Sequence, residues 1–451
     1  MSRFLPVDRG TDYLLPPSVD DWLPEDHLAR FVVDVVDQLD LSSLTKQYAG
    51  RGSKAHHPAV LLALLVYGYA TGVFSSRKIE RATYDSVAFR FIAANSHPDH
   101  DTLATFRRRF LPELEQLFVQ VLLLAREMKL GKLGTIALDG TKIKANASRH
   151  QALSYGHAKR LEAQLLAEVK ALAKHAEAAD RKDEFEGMDI PEEIARREAR
   201  LAAIAEAKAK IEVRAQERYE AERAEYEAKL AKREAERKSG KKPRGRDPEP
   251  PSPGPREQDQ VNLTDDESRI MPVGGKAFDQ CYNAQASVEI ESLLITHTHV
   301  SQASNDKREV VPTLEHLAAT SKALGKPKNV LADTGYFSAA NLKACHKQGI
   351  EPLIAVKREA HHLPVFERFM PDPPPPESDN DVERLRYFLQ TQAGRALYAV
   401  RKHTIEPVFG VIKHVMGFRQ FLLRGHAKVS GEWRLVAIAW NMKRMHRLKP
   451  A

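Results

Sequence analysis

GTIALDGTKIKAN (134–146) and NVLADTGY (329–336) decide the fold. Each is a short apolar run that closes on an aspartate, Asp139 in the first and Asp333 in the second. Apolar runs of this length, bounded by Gly and Asp, predict buried strands, the first reaching a turn at Asp139-Gly140. Between them, CYNAQASVEI (281–290) and LLITHTHV (293–300) predict a hairpin turning near Glu291-Ser292. REVVPTLEHLAATSKAL (308–324) predicts a helix. After Asp333 come a helix, SAANLKACHKQG (338–349), and a strand, EPLIAV (351–356).

Strand, hairpin, helix, strand, helix, strand is the order of an RNase H-like α/β core, a mixed five-stranded sheet with helices. Residues 1–130 read as an all-α N-terminal domain. HLARFVVDVVDQL (27–39) has helical spacing, with Pro24 suited to its start. Pro58 opens a second helix that Gly72 ends. Ser75 or Ser76 caps RKIERATYDSVAFRFI, and Asp101 or Thr102 caps a fourth helix beginning LATFRRRF. The Gly72-Val73-Phe74 turn suggests a helix-turn-helix-like unit with Arg107, Arg108 and Arg109 in the first turns of the fourth helix, where they would meet DNA phosphates. A helical docking or dimerisation domain is the alternative.

The first core strand occupies 131–150, and the core resumes over 259–425. Residues 151–237 form an insertion rich in Ala, Glu, Lys and Arg, with Leu161, Leu165, Val169 and Leu172 at near-heptad spacing. Ile194, Leu201, Ile204 and Ile211 continue the pattern, then Tyr219, Tyr226 and Leu230. This predicts an α-helical hairpin, an antiparallel coiled coil interrupted at DEFEGMDIP (183–191). Residues 238–258 read as a disordered linker by composition, and MPDPPPPESDND (370–381) as a second loop. A basic helix over 426–451 ends the chain.

Composition narrows the partners. The 451 residues carry a net charge of +8, yet residues 401–451 alone hold eleven Lys/Arg against Glu406 and Glu432. The basic excess is therefore concentrated at the C-terminus, as expected for a polyphosphate partner, with a solvated tail as the alternative. Two cysteines, Cys281 and Cys345, are too few for a disulfide framework or a structural zinc site and fit a reducing compartment. No apolar run reaches the length of a membrane span, and the N-terminus lacks the apolar region of a signal peptide. The expectation is a cytoplasmic protein that is not associated with a membrane.

The chemistry lies in three carboxylates. Asp139 and Asp333 end their strands, and Glu406 lies in RKHTIEPVFGVIKHVMG (401–417), an amphipathic segment. Hard oxygen ligands at converging strand ends suit Mg²⁺. Two such ions about 4 Å apart can activate an attacking hydroxyl and stabilise a leaving oxygen. Lys413, seven residues after Glu406, returns to nearly the same helix face. Pro407 places the helix start near Thr404, with Glu406 at the N-terminus.

ALDGTKIKANAS, LADTGYFS and EPVFGVIKH resemble the three catalytic boxes of bacterial insertion-sequence transposases of the DDE superfamily, in the IS-eleven-eighty-two group, within or near the IS-five-like branch. PDHDTLATFRRRF (98–110), NLTDDESRIM (262–271), GFRQFLLRG (417–425) and Glu432-Trp433 extend the resemblance over most of the chain. It implies a DNA transposase that binds terminal inverted repeats and target DNA, cleaves and joins strands with two Mg²⁺ ions (Mn²⁺ as substitute), and works as a homo-oligomer, a dimer. Asp139, Asp333 and Glu406 would bind metal, with Lys413 as the basic catalytic residue. Arg107, Arg108, Arg109, Arg401, Lys402, Lys413, Arg419 and Arg424 would contact DNA. One departure stands out: Tyr398 and Arg401 lie one residue earlier than the superfamily's Tyr and Arg, whose places Ala399 and Lys402 fill. Asn283 and Gln285 are assigned to the site from the hairpin. The competing readings are a non-catalytic, oligomerising DNA-binding scaffold and a structure-selective nuclease on the same core.

Overall fold

A computed structural model describes residues 18–48, 55–179, 190–240, 245–275, 277–357, 371–377 and 380–449. Most of the expected interruption at 183–191, and parts of the segments at 238–258 and 370–381, lie outside these residues. The chain divides into two compact units, Met1–Lys144 with Tyr282–Ala451, and Ala145–Cys281.

The larger unit opens with helices α1 (Leu28–Asp37), α2 (Ser42–Thr45), α3 (Pro58–Thr71), α4 (Ser76–Asp85), α5 (Val87–Ile92), α6 (His100–Arg109) and α7 (Leu114–Glu127). α3 is capped as expected, with Gly72 left-handed at φ 86°. The expected third helix is two, because Ser86 takes an extended backbone and opens α5. Asp99, not Asp101 or Thr102, caps α6: its Oδ1 accepts the Thr102 N–H at 2.7 Å. The helix therefore starts early and ends at Arg109, and Arg107, Arg108 and Arg109 occupy its last turn rather than its first.

β1 (Thr135–Lys144) is a single ten-residue strand. It does not turn at Asp139-Gly140. The smaller unit follows, with β2 (Ala152–Ser154), α8 (Tyr155–Ala179), α9 (Ile190–Lys238), β3 (Gln260–Asn262) and β4 (Arg269–Pro272). α8 and α9 pack antiparallel, as the ion pairs Lys208–Glu162 (2.7 Å) and Arg197–Glu168 (2.8 Å) show. Leu165, Ile204 and Ile211 bury the seam together with Leu153 and Val261. α9 is almost twice as long as α8, so its later turns run past the start of α8. Residues 245–258 bond to those turns and are not a loose linker. Arg233 donates to the Gly245 carbonyl at 2.7 Å, and Arg218 to the Gly254 carbonyl at 3.2 Å and Asp259 at 2.7 Å. A Pro-rich stretch makes few hydrogen bonds of its own, and its free carbonyls are the acceptors these arginines need.

β5 (Phe278–Glu289) begins in the smaller unit and continues into the larger. There it pairs antiparallel with β6 (Ile295–Ser301). α10 (Val310–Leu324), β7 (Asn329–Ala332), α11 (Ala339–Lys347) and β8 (Glu351–Ile354) follow. The sheet has six strands, one more than expected, in the order β4-β5-β1-β7-β8 with β6 also paired to β5; β1, β7 and β8 are parallel, so it is a mixed sheet with helices. α12 (Asp381–Gln390) leads to α13 (Gln392–Gly410), a π turn (Val411–Val415) and α14 (His426–Leu448).

One expectation and one alternative fail here. α13 starts at Gln392, not near Thr404, and carries Pro407 in its interior. Arg401, Thr404, Ile405, Val408 and Phe409 are buried on both sides of the proline, and this packing offsets the lost N–H. α14 is no solvated basic tail. It is a core helix with Trp433, Leu435, Val436 and Met442 fully buried, packed on α3, α7 and β6. Its cations serve the fold: Arg434 pairs with Glu115 at 3.2 Å, and Lys443 and Arg444 cap the carbonyls of Ala70 and Ser292. Among the described residues no single helix is long and apolar enough to cross a membrane.

Glu432, fully buried on α14, ties three segments together. It accepts from the Tyr69 hydroxyl at 2.7 Å and from the N–H groups of Leu422 and Leu423 at 3.0 Å each. Arg107 donates to the same hydroxyl at 3.1 Å. Burial pushes the Glu432 carboxyl up, and these donors hold it down. Glu432→Ala would take the carboxylate acceptor from two amides and a buried phenol, so urea unfolding should show a loss of about 3–5 kcal/mol.

Candidate active site

β1 and β7 pair Thr135 with Asn329, Ile136 with Val330 and Ala137 with Leu331. Two residues further along each chain stand Asp139 and Asp333. Equal offset on parallel neighbours sets them abreast, with both side chains on one face. Asp333 follows the last residue of its strand. Its Oδ1 accepts the Gly335 N–H at 2.8 Å and folds Thr334–Tyr336 into a 3-10 turn. Asp139 lies inside its strand, not at the end.

α13 packs over β1 and β7 and brings Arg401 and Glu406 to them. Arg401 Nη1 donates to Asp139 Oδ2 at 3.2 Å, and Nη2 to Glu406 Oε1 at 3.3 Å. Arg401, five residues before the glutamate, is therefore the basic residue in the site, while Lys402 faces solvent. Tyr398 donates to the Ala332 carbonyl at 3.3 Å, beside Asp333. Glu406 sits one turn from the C-terminal end of α13, not at its N-terminus, and carbonyls at that end favour a nearby cation. Lys413 lies in the π turn, and its Nζ donates to the Lys142 carbonyl on β1 at 3.0 Å.

Burial pushes the Asp139 carboxyl up to about 7, against Arg401, with Asp333 and Asp306 adding to the rise. The site has more negative charge than its protein cations neutralise. Among the described residues no three His, Cys, Asp or Glu side chains stand at metal-holding spacing. The donor set nonetheless fits a hard divalent cation. It is all oxygen, its carboxylates outnumber the cations beside them, and a guanidinium stands in the gap between Asp139 and Glu406.

Gly140 has a reason other than a turn. A Cβ there would stand 2.1 Å from Gln285 Nε2, 2.6 Å from Asp306 Oδ1 and 2.8 Å from Asn283 Oδ1. Asn283 and Gln285, which the sequence assigned to the site, lie directly against β1, and both donate to Asp306 Oδ1 at 2.6 Å. Lys142 Nζ is 3.7 Å from the same oxygen. Burial lowers the Lys142 amine and Asp306 opposes this. Asp306 was not legible in the sequence. Its one signal is its place in SND (304–306), just ahead of α10.

The residues expected to contact DNA divide in two. Arg107 points inward to Tyr69, and Arg109 holds the Gln47 carbonyl and stacks on Tyr48 and Phe110. Arg108, Lys402, Arg419 and Arg424 are exposed.

Two family models match the chain, a Transposase domain (DUF772) over residues 17–109 and a Transposase DDE domain over 250–442, together more than half its length. Neither a curated protein nor a solved structure matches it. Paired carboxylates on a mixed sheet with helices, in a chain that carries a DDE domain, define a polynucleotidyl transferase with an RNase H-like core. The chain belongs to the insertion-sequence transposases and is a DDE transposase. Asp333 and Glu406 fall within the DDE match, and Asp139 lies between the two matched segments.

Gly140→Ala must displace buried, hydrogen-bonded side chains, whereas a Cβ on Gly134 meets nothing within 4 Å. Gly140→Ala should lower unfolding stability by about 1–3 kcal/mol and strand cleavage at least about tenfold. Gly134→Ala should leave both unchanged.

The raised Asp139 carboxyl also sets a pH dependence. Its folded value, about 7, exceeds the ordinary 3.8, so between these the folded state holds a proton that the unfolded chain releases. Stability from this group is present below pH 4 and is lost as pH rises through 7. The side chain keeps 20% of its surface exposed, so the full shift is discounted to roughly 2 kcal/mol. In EDTA, thermal unfolding of Asp139→Asn should therefore show a gain over wild type at pH 8 that vanishes at pH 4.

Proposed function

We propose that this transposase binds the terminal inverted repeats of its own element, cleaves the ends and joins 3′-hydroxyls to target DNA in a divalent-cation-dependent reaction. One observation carries the reading. Asp139 and Asp333 stand abreast on parallel strands, and Arg401 links Asp139 to Glu406. Asp139, Asp333 and Glu406 are the residues that would hold Mg²⁺, as two ions, with Mn²⁺ as substitute. Such ions, when bound, supply charge neutralisation at the attacking and leaving oxygens.

The protein's own groups supply position and charge. Arg401, buried between two carboxylates, keeps them apart and compensated while the site waits for substrate. Lys413 fixes the π turn to β1. Lys402, Arg419 and Arg424 are exposed and would offer their positive charge to phosphates. Arg108 offers a further phosphate contact on the N-terminal helices. The two matched domains fit the IS-eleven-eighty-two group of transposases. We place the enzyme in the bacterial cytoplasm, at the nucleoid, as a dimer on paired ends.

The test is a gel assay with DNA carrying the element's paired ends, with Mg²⁺ or Mn²⁺, using wild type, Asp139→Asn, Asp333→Asn and Glu406→Gln. Wild type should give cleaved and joined products, and each variant at most about a thousandth of them. Binding without products from wild type in either ion would make the protein a DNA-binding scaffold. Strand transfer retained by Asp333→Asn would remove that residue from the centre.

A further inference from the structure

The site holds one carboxylate more than its three expected members. We propose that Asp306 is a fourth acidic residue of the reaction centre, acting with Asp139 and Asp333 to hold a divalent cation. The inference rests on the cation-dependent reading above.

Asp306 lies between β6 and α10, where its carbonyl accepts the Glu309 N–H at 3.1 Å and closes a turn. Its two carboxylate oxygens differ. Oδ1 takes both amides, from Asn283 and Gln285 at 2.6 Å each, with Lys142 Nζ 3.7 Å away. The two amides stand two residues apart on β5 and are fully buried, so they fix the carboxylate rigidly. Oδ2 is turned the other way. It lies 3.9 Å from where a Cβ on Gly335 would stand, a point itself 2.9 Å from Asp333 Oδ1. Asp306 and Asp333 thus approach each other across Gly335, as Asp306 approaches β1 across Gly140. Glycine at both positions leaves the three aspartates room to converge.

A second observation concerns Asn283. Its side chain is fully buried, and its Oδ1 has no hydrogen-bond partner. That oxygen is 2.8 Å from the Cβ position of Gly140, next to Asp139. A buried carbonyl without a donor is costly. A cation held among these aspartates is a partner it can take, directly or through a coordinated water. The influence of Asp306 on the Asp139 carboxyl shows that the two groups share one electrostatic environment. A purely structural Asp306 would serve only to receive the two amides and the Lys142 charge. Those duties use Oδ1 and leave Oδ2 with none.

Asp306→Asn separates the two roles. An asparagine keeps an oxygen to accept the Asn283 and Gln285 amides and removes only the charge. Mn²⁺ binding to the full-length protein, followed by calorimetry and by the electron paramagnetic resonance of free Mn²⁺, is the readout, with wild type and Asp333→Asn beside it. Asp306→Asn should weaken Mn²⁺ binding at least tenfold, with its metal-free melting midpoint unchanged or higher, because one of several repelling carboxylates is gone. Affinity within twofold of wild type would overturn the proposal while Asp333→Asn still loses binding. Loss of Mn²⁺ binding that comes with a lowered melting midpoint would overturn it in favour of a structural role through Lys142. A wild type that binds no Mn²⁺ would instead bring down the underlying two-ion reading, and the inference with it. If Asp306→Asn does not unfold cooperatively, Asp306→Glu is read in its place. It keeps the charge but moves it by one methylene and should shift affinity at least fivefold; an unchanged affinity there overturns the proposal.

Discussion

Two carboxylates set abreast on neighbouring parallel strands repel each other, and much of the larger unit can be understood as the means of tolerating that repulsion. The register of β1 against β7 fixes Asp139 and Asp333 side by side. Neither can be turned away, because a strand's side chains alternate and a one-residue slip would put the large buried Ile136 and Leu138 on the face that carries Asp139. Compensation therefore has to come from outside the sheet. It comes from α13, whose Arg401 reaches Asp139 and Glu406 together. Arg401 and Glu406 both lie before Pro407 on α13, so one helical segment carries the guanidinium and the third carboxylate together. The helix runs on through the proline to Gly410 because Val408 and Phe409 beyond it are buried, which offsets the backbone hydrogen bond lost there.

The helical N-terminal region is bound to this arrangement and is not an independent module within the larger unit. α14 packs on α3 and α7 on one side and on β6 on the other. Glu432 sits in the middle of that contact. Its acceptors hold the chain at Leu422 and Leu423, just after the site, and hold Tyr69 of α3 at the same time. Trp433 beside it donates to the Gln285 carbonyl at 2.9 Å, on the strand that positions Asp306. A buried charge and a buried indole, next to each other in sequence, thus connect the N-terminal helices, the post-site loop and the inner face of β5. Such a connection is costly to break at any one point.

The fold was largely legible because its elements announce themselves locally. β5, β6, α10, β7, α11 and β8 all fall where apolar runs and helical spacing put them, and the heptads of the insertion close into an intramolecular hairpin. The misreadings share a cause, which is that tertiary contacts overrode a local signal. Asp139-Gly140 has the composition of a turn, yet the glycine serves the approach of Asn283, Gln285 and Asp306. The Pro-rich segment has the composition of a loose linker, yet arginines of α9 find their acceptors in it. The basic C-terminus has the charge of a nucleic-acid tail, yet Arg434, Lys443 and Arg444 point into the protein, because their helix carries a continuous apolar surface as well. Asp306 stayed hidden because nothing in a loop sequence records that two amides of a strand, some twenty residues earlier, will face it.

The placement of Arg401 shows how little sequence spacing tolerates. A helix turns about 100° per residue, so moving a basic residue by one position carries it from one face to another. With α13 packed on β1 and β7, position 401 faces the sheet and is buried, whereas position 402 faces solvent. Only the first can place a guanidinium over Asp139. An arginine is also the side chain whose planar fork can donate to two carboxylates at once, from Nη1 and Nη2, as it does here. A lysine at 401 would offer one point charge and could not bridge them in the same way. The one-residue departure of Tyr398 and Arg401 from the superfamily spacing is thus consistent with a working site: on this helix, position 401 is the one that faces Asp139, and the chain has its arginine there.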